Sequence, residues 1–291
     1  MKFRIVCLCI LISACSTKPQ VQIIEGLSKP ESIVGEGNNL YISDVGKNLT
    51  PTDKDGDGRI VKMSLTGEIL DSNICKSPVN APKGSAIIDG VLYVADIDCI
   101  RIINLASGEV ADSIDFSPVG AMFLNDIVAK DNRTLYVSAT DQGKVYEVSL
   151  SPGRQIKALD IPNIPGINGL DYDAKNAKLA INSMGAGTPP FGKLFILDVN
   201  SSPMNLKAID GVNGIFDGMQ FIDDHRVVLT DWVDFNTPSG KAIAVDLKTG
   251  KTTALETPVL AGPADCWYDQ KNHSLWIPLM VKGSIYKQQL K

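Results

Sequence analysis

A short polar step recurs six times along the chain, each time just before an apolar, strand-like run. The six steps are Pro30-Glu31-Ser32, Pro82-Lys83-Gly84, Leu124-Asn125-Asp126, Ile167-Asn168-Gly169, Phe216-Asp217-Gly218 and Pro263-Ala264-Asp265. Their middle residues are separated by 52, 42, 43, 49 and 47 residues. Self-similarity at such a period indicates a repeat architecture, so it constrains the fold more strongly than any single motif does.

Each repeat contains the pattern of four short strands. In the first repeat, β-branched and aromatic runs at 31–34, 40–43, 59–65 and 68–70 are separated by Gly, Asn and Thr turns. In the second repeat, Asp89-Gly90 lies between two apolar runs, which is a strong hairpin signal. No amphipathic helix interrupts the units. The sequence therefore predicts an all-β, six-bladed propeller of four-stranded blades. A β-sandwich or a parallel β-helix fits this period poorly.

The last repeat ends after its third strand, close to Lys291. A strand-like run at 21–26, near the start of the chain, has in contrast no partner nearby in sequence. A propeller must hide its strand edges and join its ends. We therefore predict that the N-terminal strand completes the last blade and closes the ring.

The first residues predict a lipid anchor. A basic start at 1–4 precedes an apolar run at 5–12 that is too short to span a bilayer, and Ile12-Ser13-Ala14-Cys15 resembles a bacterial lipoprotein lipobox. The resemblance implies a signal peptide at 1–14, a lipidated tether at 15–20 that begins with acylated Cys15, and a propeller at 21–291 in the periplasm. Ser16 favours the outer membrane, while an ordinary secretory signal with a chance Cys is the alternative.

The middle residues of the first five steps, together with Asp265 of the sixth, predict a polar ring. We expect Glu31, Lys83, Asn125, Asn168, Asp217 and Asp265 to converge at the mouth of the central channel, because innermost strands face the axis of a propeller. Converging carboxylates and amides need a cation or water among them. Their oxygen atoms suit a hard divalent cation. The net charge of −5, with no basic run interleaved with aromatic residues, argues against nucleic acid as a partner.

Four motifs resemble those of the senescence marker protein/regucalcin/gluconolactonase family. They are Pro30-Glu31, Phe123-Leu124-Asn125-Asp126, Ile167-Asn168-Gly169-Leu170-Asp171 and Phe216-Asp217-Gly218-Met219. The resemblance implies one divalent metal on Glu31, Asn168 and Asp217, with Ca²⁺ preferred over Mg²⁺, Mn²⁺ or Zn²⁺. It also implies that Asn125 contacts substrate, that Asp217 acts as general base, and that the reaction opens small, sugar-type lactones or esters.

One departure from the family keeps a second hypothesis open. The family's lactonases usually carry an Arg shortly before the Asn of blade three, but residues 119–124 contain none. Lys83 could supply the missing positive charge to substrate, or it could pair with Glu31 and take the place of the metal. The alternative is therefore a non-catalytic, NHL-like propeller that binds a ligand or a protein in the cell envelope. In either case we expect a monomer.

Two further features could belong to the site. The acidic run at 53–58 places Asp53, Asp55 and Asp57 as in the start of an EF-hand loop, but position twelve is Ser64 rather than Glu, so an acidic hairpin competes with a second Ca²⁺ site. Trp232 follows the end of a strand and could stack on a sugar, or it could be an ordinary core aromatic residue.

The histidines and cysteines predict no chemistry. His225 and His273 both lie in polar turns, which argues against a Ser-His-Asp hydrolase or a His base. Outside the N-terminal segment, the chain has Cys75, Cys99 and Cys266, whose spacing resembles neither a disulfide framework nor a zinc site. We expect small buried hydrophobic side chains, with at most one disulfide.

Overall fold

The computed structural model describes residues 20–189 and 191–290, which form six four-stranded antiparallel sheets. Each sheet is one blade. The innermost strands of neighbouring blades lie next to each other around the whole ring, from β2 (Pro30–Glu36) to β22 (Trp267–Asp269) and back to β2. The predicted six-bladed propeller is therefore confirmed.

The strands take four positions in the blades. The innermost strands are β2 (Pro30–Glu36), β6 (Pro82–Ile88), β10 (Leu124–Asp131), β14 (Ile167–Asp173), β18 (Phe216–Asp223) and β22 (Trp267–Asp269). The second strands are β3 (Asn39–Asp44), β7 (Val91–Asp96), β11 (Thr134–Ala139), β15 (Lys178–Ser183), β19 (Arg226–Asp231) and β23 (Ser274–Leu279). The third strands are β4 (Arg59–Ser64), β8 (Cys99–Asn104), β12 (Lys144–Ser149), β16 (Gly192–Asp198), β20 (Lys241–Asp246) and β24 (Ser284–Gln289). The outermost strands are β5 (Ile69–Asp71), β9 (Val110–Asp115), β13 (Ile156–Ala158), β17 (Asn205–Gly214), β21 (Thr252–Ala254) and β1 (Val21–Ile24).

The N-terminal strand closes the ring, as predicted. β1 pairs antiparallel with β24, from Val21 opposite Gln288 to Ile24 opposite Ile285. The strand ends two residues earlier than the predicted run, because Gly26 has a φ of 102° that turns the chain out of the sheet. Blade six is thus built from both ends of the described chain.

The blades pack through apolar faces, as alternating strand patterns require. Trp276, for example, is fully buried between blades six and one, in a cluster with Ile24 and Ile285. Side chains of second strands also donate hydrogen bonds to the next blade: Ser138 Oγ to the Asn168 carbonyl (2.7 Å), Asn182 Nδ2 to the Asp217 carbonyl (2.8 Å) and Thr230 Oγ1 to the Ala264 carbonyl (2.6 Å). These bonds fix the backbone of the predicted ring residues.

One short 3-10 helix, Ser117–Val119, is the sole helix within the described ranges. None of the helical structure there is long and apolar enough to cross a membrane. The predicted signal peptide, Cys15 and the tether as far as residue 19 lie outside the described residues.

Candidate functional site

Five of the predicted ring residues lie buried at the mouth of the central channel. Glu31, Lys83, Asn125, Asn168 and Asp217 each occupy the second position of an innermost strand. Burial raises the pKa of Glu31, and the charges of Asp217 and Lys83 shift this pKa further, in opposite directions. Asn168 lies close enough to Asp217 to lower the pKa of its carboxyl. The structure therefore brings together side chains that are far apart in sequence.

The sixth predicted member, Asp265, lies in the segment that leads into β22 (Trp267–Asp269). The position in blade six that is equivalent to the other five is Ala264, whose carbonyl accepts the hydrogen bond from Thr230 just as the Asp217 carbonyl accepts one from Asn182. The ring at the mouth therefore has five polar members, and Asp265 belongs to a deeper layer of the channel.

A register shift accompanies five of the six steps. Five innermost strands lose regular pairing between Pro30 and Ser32, Pro82 and Ser85, Leu124 and Ile127, Ile167 and Leu170, and Phe216 and Met219. Such bulges redirect side chains from the regular alternation of a strand. Asn125 and Asp126 can consequently both approach the channel axis, although they are adjacent in sequence.

The deeper layer joins neighbouring blades. Its members accept a hydrogen bond from the blade that follows: Asp126 from the Leu170 N–H (2.6 Å), Asp171 from the Phe221 N–H (2.7 Å), Gln220 from the Tyr268 N–H and Asp265 from the Ser32 hydroxyl (2.8 Å). The same four side chains line a channel cavity of about 190 Å³. Burial raises the pKa of Asp126 to about 6 and that of Asp171 to about 7, while the hydrogen bonds from backbone N–H groups lower both pKa values.

Glu31 and Lys83 form neither a hydrogen bond nor an ion pair with each other. Glu31 is 4% exposed, and its Oε2 accepts no hydrogen bond from the described residues. The Lys83 ammonium instead donates to the Ala81 carbonyl at 2.8 Å and lies 5.2 Å from the centre of the Phe123 ring. Burial lowers the pKa of Lys83 to about 8, partly offset by the charge of Glu31. An unpartnered carboxylate oxygen therefore remains buried beside a cationic side chain that is held elsewhere.

Asp217 is fixed by Trp232. The indole Nε1–H donates to Asp217 Oδ2 at 2.8 Å, so it holds one of the two carboxylate oxygens. Burial raises the pKa of Asp217 to about 7, whereas the hydrogen bond from Trp232 lowers it. The predicted role of Trp232 as a sugar platform is untested, but the structure shows a further role, because this buried indole orients the carboxylate.

An apolar collar borders the mouth in five of the six blades, while the equivalent residue of blade three is Thr140. We give this name to Val45, Ile97, Met184, Trp232 and Met280, each of which directly follows the end of a second strand. They pack in one cluster with Ala81, Ile215 and Ala264. The collar separates the ring from bulk water, which accounts for the raised pKa values of its carboxyl groups.

The acidic loop at 53–58 makes its own contacts. The Asp57 carboxylate accepts the Lys47 N–H at 3.1 Å, Asp55 accepts the Asp57 N–H at 3.2 Å, and Lys54 pairs with Asp98 at 2.5 Å. These contacts fit the acidic hairpin alternative. In the described ranges no three His, Cys, Asp or Glu side chains group around a common metal position. The predicted metal ligands Glu31, Asn168 and Asp217 are two carboxylates and one amide, so they are not a group of this kind.

The two histidines lie in turns, whereas Cys266 directly follows Asp265 and lines the channel cavity. His273 contacts the Tyr268 hydroxyl through Nδ1 at 2.9 Å, and His225 lies 3.2 Å from Asp223 in a turn. Cys75, Cys99 and Cys266 are free thiols.

The buried carboxyl groups predict an unusual pH dependence of stability. In the absence of divalent cations, we expect the Tm to be at least about 5 °C lower at pH 8 than at pH 5, since about 1 kcal/mol corresponds to 2–4 °C in a chain of this size. The pKa values of Asp126, Asp171 and Asp217, at about 6, 7 and 7, exceed their unfolded values near 4. Between pH 5 and 8 the folded state therefore binds more protons than the unfolded state, and stability falls as pH rises.

The titration of other groups does not cancel the expected fall in stability between pH 5 and 8. Surface carboxyls with lowered pKa values, such as those of Asp198 and Asp246, are ionised in both states above pH 5. The lowered pKa of Lys83, about 8, makes stability rise again only above pH 8. Thermal melts in EDTA at unit pH steps test the expectation, and a Tm that rises from pH 5 to 8 would contradict it.

Comparison with known proteins finds similar structures but no similar sequence. No protein-family model matches the chain, and no curated protein matches it in sequence. A luciferin-regenerating enzyme is similar in structure with a TM-score of 0.67 and 14% identity, covering 94% of this chain and 96% of that chain. The Cps50 (Swd1) propeller domain of Myceliophteria thermophila has a TM-score of 0.63 and 11% identity, covering 94% and 100%. A virginiamycin B lyase from Staphylococcus aureus, solved with quinupristin, has a TM-score of 0.61 and 13% identity, covering 94% and 100%. At these identities the likeness shows a shared propeller fold.

Proposed function

We propose that the protein is a lipid-anchored propeller of the bacterial envelope that holds one divalent cation at the channel mouth and hydrolyses lactones or esters. The observation that carries the proposal is the buried Oε2 of Glu31, which has no hydrogen-bond partner among the described residues. A buried carboxylate oxygen without a partner is costly. A cation between Glu31 and Asp217 would remove both this cost and the repulsion that raises the pKa of Glu31.

The donor set suits such a cation. Glu31 and Asp217 offer carboxylate oxygens, and the Asn168 amide has a carbonyl oxygen to offer, which are the donors that Ca²⁺, Mg²⁺ and Mn²⁺ prefer. Lys83 leaves Glu31 Oε2 without a hydrogen bond, because its ammonium is bound to the Ala81 carbonyl. When bound, the cation would polarise the carbonyl of the ligand.

The chain's own residues would carry the proton. Asp217, with a pKa near 7, would accept a proton from water as the water oxygen bonds to the acyl carbon. The ester C–O bond then breaks, and the same proton passes to the leaving alkoxide oxygen. Trp232 holds the carboxylate in position through its N–H, and the Lys83 ammonium supplies positive charge near the developing anion. Asn125, on the same ring, is left to contact the ligand or its water.

The collar favours a second candidate function. Because apolar side chains cover the ring, the same site could bind a ligand without turning it over. Cation binding and ligand binding without any hydrolysis would distinguish it from the first proposal.

Titration with CaCl₂ tests the cation site directly. After dialysis against EDTA, the wild-type protein is expected to bind about one Ca²⁺ per chain, and Glu31→Gln is expected to bind it at least about 100-fold more weakly, since a charged ligand is lost. The matched control is Glu36→Gln at the exposed end of the same strand, β2, which should bind as the wild type does. A wild-type protein that binds no Ca²⁺, Mg²⁺ or Mn²⁺ would contradict the proposal. Assays with a lactone and ester panel then test the reaction.

A further inference from the structure

The exposed apolar side chains are concentrated on the channel-mouth face. Ten large hydrophobic residues are exposed among the described residues, and seven of them lie in loops on this face: Leu49, Met122, Phe191, Val233, Phe235, Val259 and Val281. The other three, Val21, Ile23 and Leu70, lie on outermost strands. Among residues 20–189 and 191–290, no loop on the opposite face carries one. Clustered exposed apolar residues mark binding surfaces, whereas single ones need no explanation.

Part of this face is one continuous patch next to the ring. The Phe235 ring packs edge-on against Trp232, with 5.2 Å between ring centres. A Cβ built on Gly187 would lie 2.7 Å from the Phe235 ring, and one built on Gly262 would lie 2.6 Å from Val281 and 2.9 Å from Trp232. We call Trp232, Phe235 and Val281, with the two glycines that they cover, the aromatic patch. It borders a small pocket of about 90 Å³.

Trp232 belongs to both the patch and the ring. Its indole N–H binds the Asp217 carboxylate, while its ring contacts Phe235. A ligand whose reacting group reaches Asp217 would therefore place its remaining part against the patch. The intervening collar includes Met184 and Met280, whose flexible thioethers can adapt to an apolar group.

This surface suits an apolar ligand better than a sugar. Sugar hydroxyls require polar partners, but the collar consists of aliphatic, thioether and aromatic side chains, and the Thr140 hydroxyl at the sixth equivalent position already donates to the Ile167 carbonyl at 2.7 Å. The lack of an Arg at 119–124 removes another donor for hydroxyls. We propose that the mouth face binds the apolar arm, alkyl or aryl, of a lactone or ester, and that Phe235 and Val281 set the preference for that arm. The reaction rests on the proposed hydrolase function, whereas the binding preference does not.

A series of γ-lactones with arms from methyl to heptyl, together with gluconolactone, tests the inference in the Ca²⁺-loaded protein. We expect kcat/KM to rise about twofold to fourfold per added CH₂ and gluconolactone to be the poorest substrate. Phe235→Ser should lower kcat/KM about tenfold for the heptyl lactone and leave the methyl lactone nearly unchanged. The matched control is Leu70→Ser on β5, which is exposed to the same degree (48% against 47%) but lies outside this face.

The two proposals fail in different ways. If no lactone is hydrolysed, the hydrolase proposal fails, and the affinities of the matching γ-lactams, measured by calorimetry, still test the apolar preference. Lactam affinity that rises with arm length and falls in Phe235→Ser supports it. Affinity independent of arm length, a preference for gluconolactone, or an equal effect of Phe235→Ser and Leu70→Ser overturns it. Phe235-dependent binding to phosphatidylcholine vesicles without arm-length dependence also overturns it, in favour of a membrane-facing surface.

Discussion

Removing residues 1–24 is expected to destabilise the protein by roughly 4–8 kcal/mol, compared with a chain that starts at Gln20. The deletion takes away β1, which is the outermost strand of blade six. Burial of Ile24 contributes about 1.5–3 kcal/mol, and each lost strand hydrogen bond contributes about 0.5–1.5 kcal/mol. Because globular proteins are stable by only about 5–15 kcal/mol, the shortened chain should melt at least about 10 °C lower or fail to fold.

Loss of the strand also exposes an edge. The backbone N–H and C=O groups of β24 that face β1 would become free to pair with another chain, so we expect aggregation in size-exclusion chromatography. Two single substitutions in β1 distinguish the contribution of its buried side chain from a general effect of changing this strand. Ile24→Ala removes a buried side chain (6% exposed) and should cost about 2–4 kcal/mol, whereas Ile23→Ala, at a position that is 44% exposed, should cost little. An unchanged Tm after deletion of β1 would show that the ring holds without this closure.

The propeller could be predicted from sequence because its determinants repeat. Asp89-Gly90 and the other turns fall at similar places in each unit, so several weak signals support one another. The closing strand followed from a mismatch between the two chain ends, since residues 21–24 had no local partner and blade six lacked a fourth strand.

The layering of the channel could not be predicted in the same way. Regular alternation would place Asn125 and Asp126 on opposite faces of β10, but a register shift between Leu124 and Ile127 overrides it. No residue type in the sequence marks these shifts. For the same reason the sequence pattern predicts Asp265 at the mouth, although Ala264 occupies the position equivalent to Asp217.

The sequence does not predict the collar, for a different reason. Its members follow the ends of second strands, where sequence shows only single apolar residues such as Val45, Ile97 and Met280. They become a cluster only when the blades close around the axis. The collar alters the chemistry of the ring, because it turns a set of polar side chains into a desolvated site with raised carboxyl pKa values.

Asp217→Asn is expected to lower the hydrolytic rate by about 10²–10⁴-fold and to abolish tight cation binding. The substitution removes the proposed general base and one negative ligand, while an amide oxygen can still accept the Trp232 N–H. Stopped-flow or steady-state assays and calcium titration measure the two effects. Asp210→Asn, at an exposed position, is the matched control and should change neither.

The same variant should have the opposite effect on stability. In EDTA at pH 8, the wild-type Asp217 carries a buried charge that Asn lacks, because its pKa of about 7 lies below the buffer pH. Asp217→Asn should therefore melt higher than the wild type at pH 8 and about the same at pH 5, where Asp217 is mostly protonated. Added Ca²⁺ should raise the Tm of the wild type at pH 8 and leave that of the variant unchanged, since ligands stabilise only the state that binds them. A variant that loses activity but melts lower at pH 8 would show that Asp217 stabilises the fold through its hydrogen bonds, and the argument that a cation relieves a buried charge would fail.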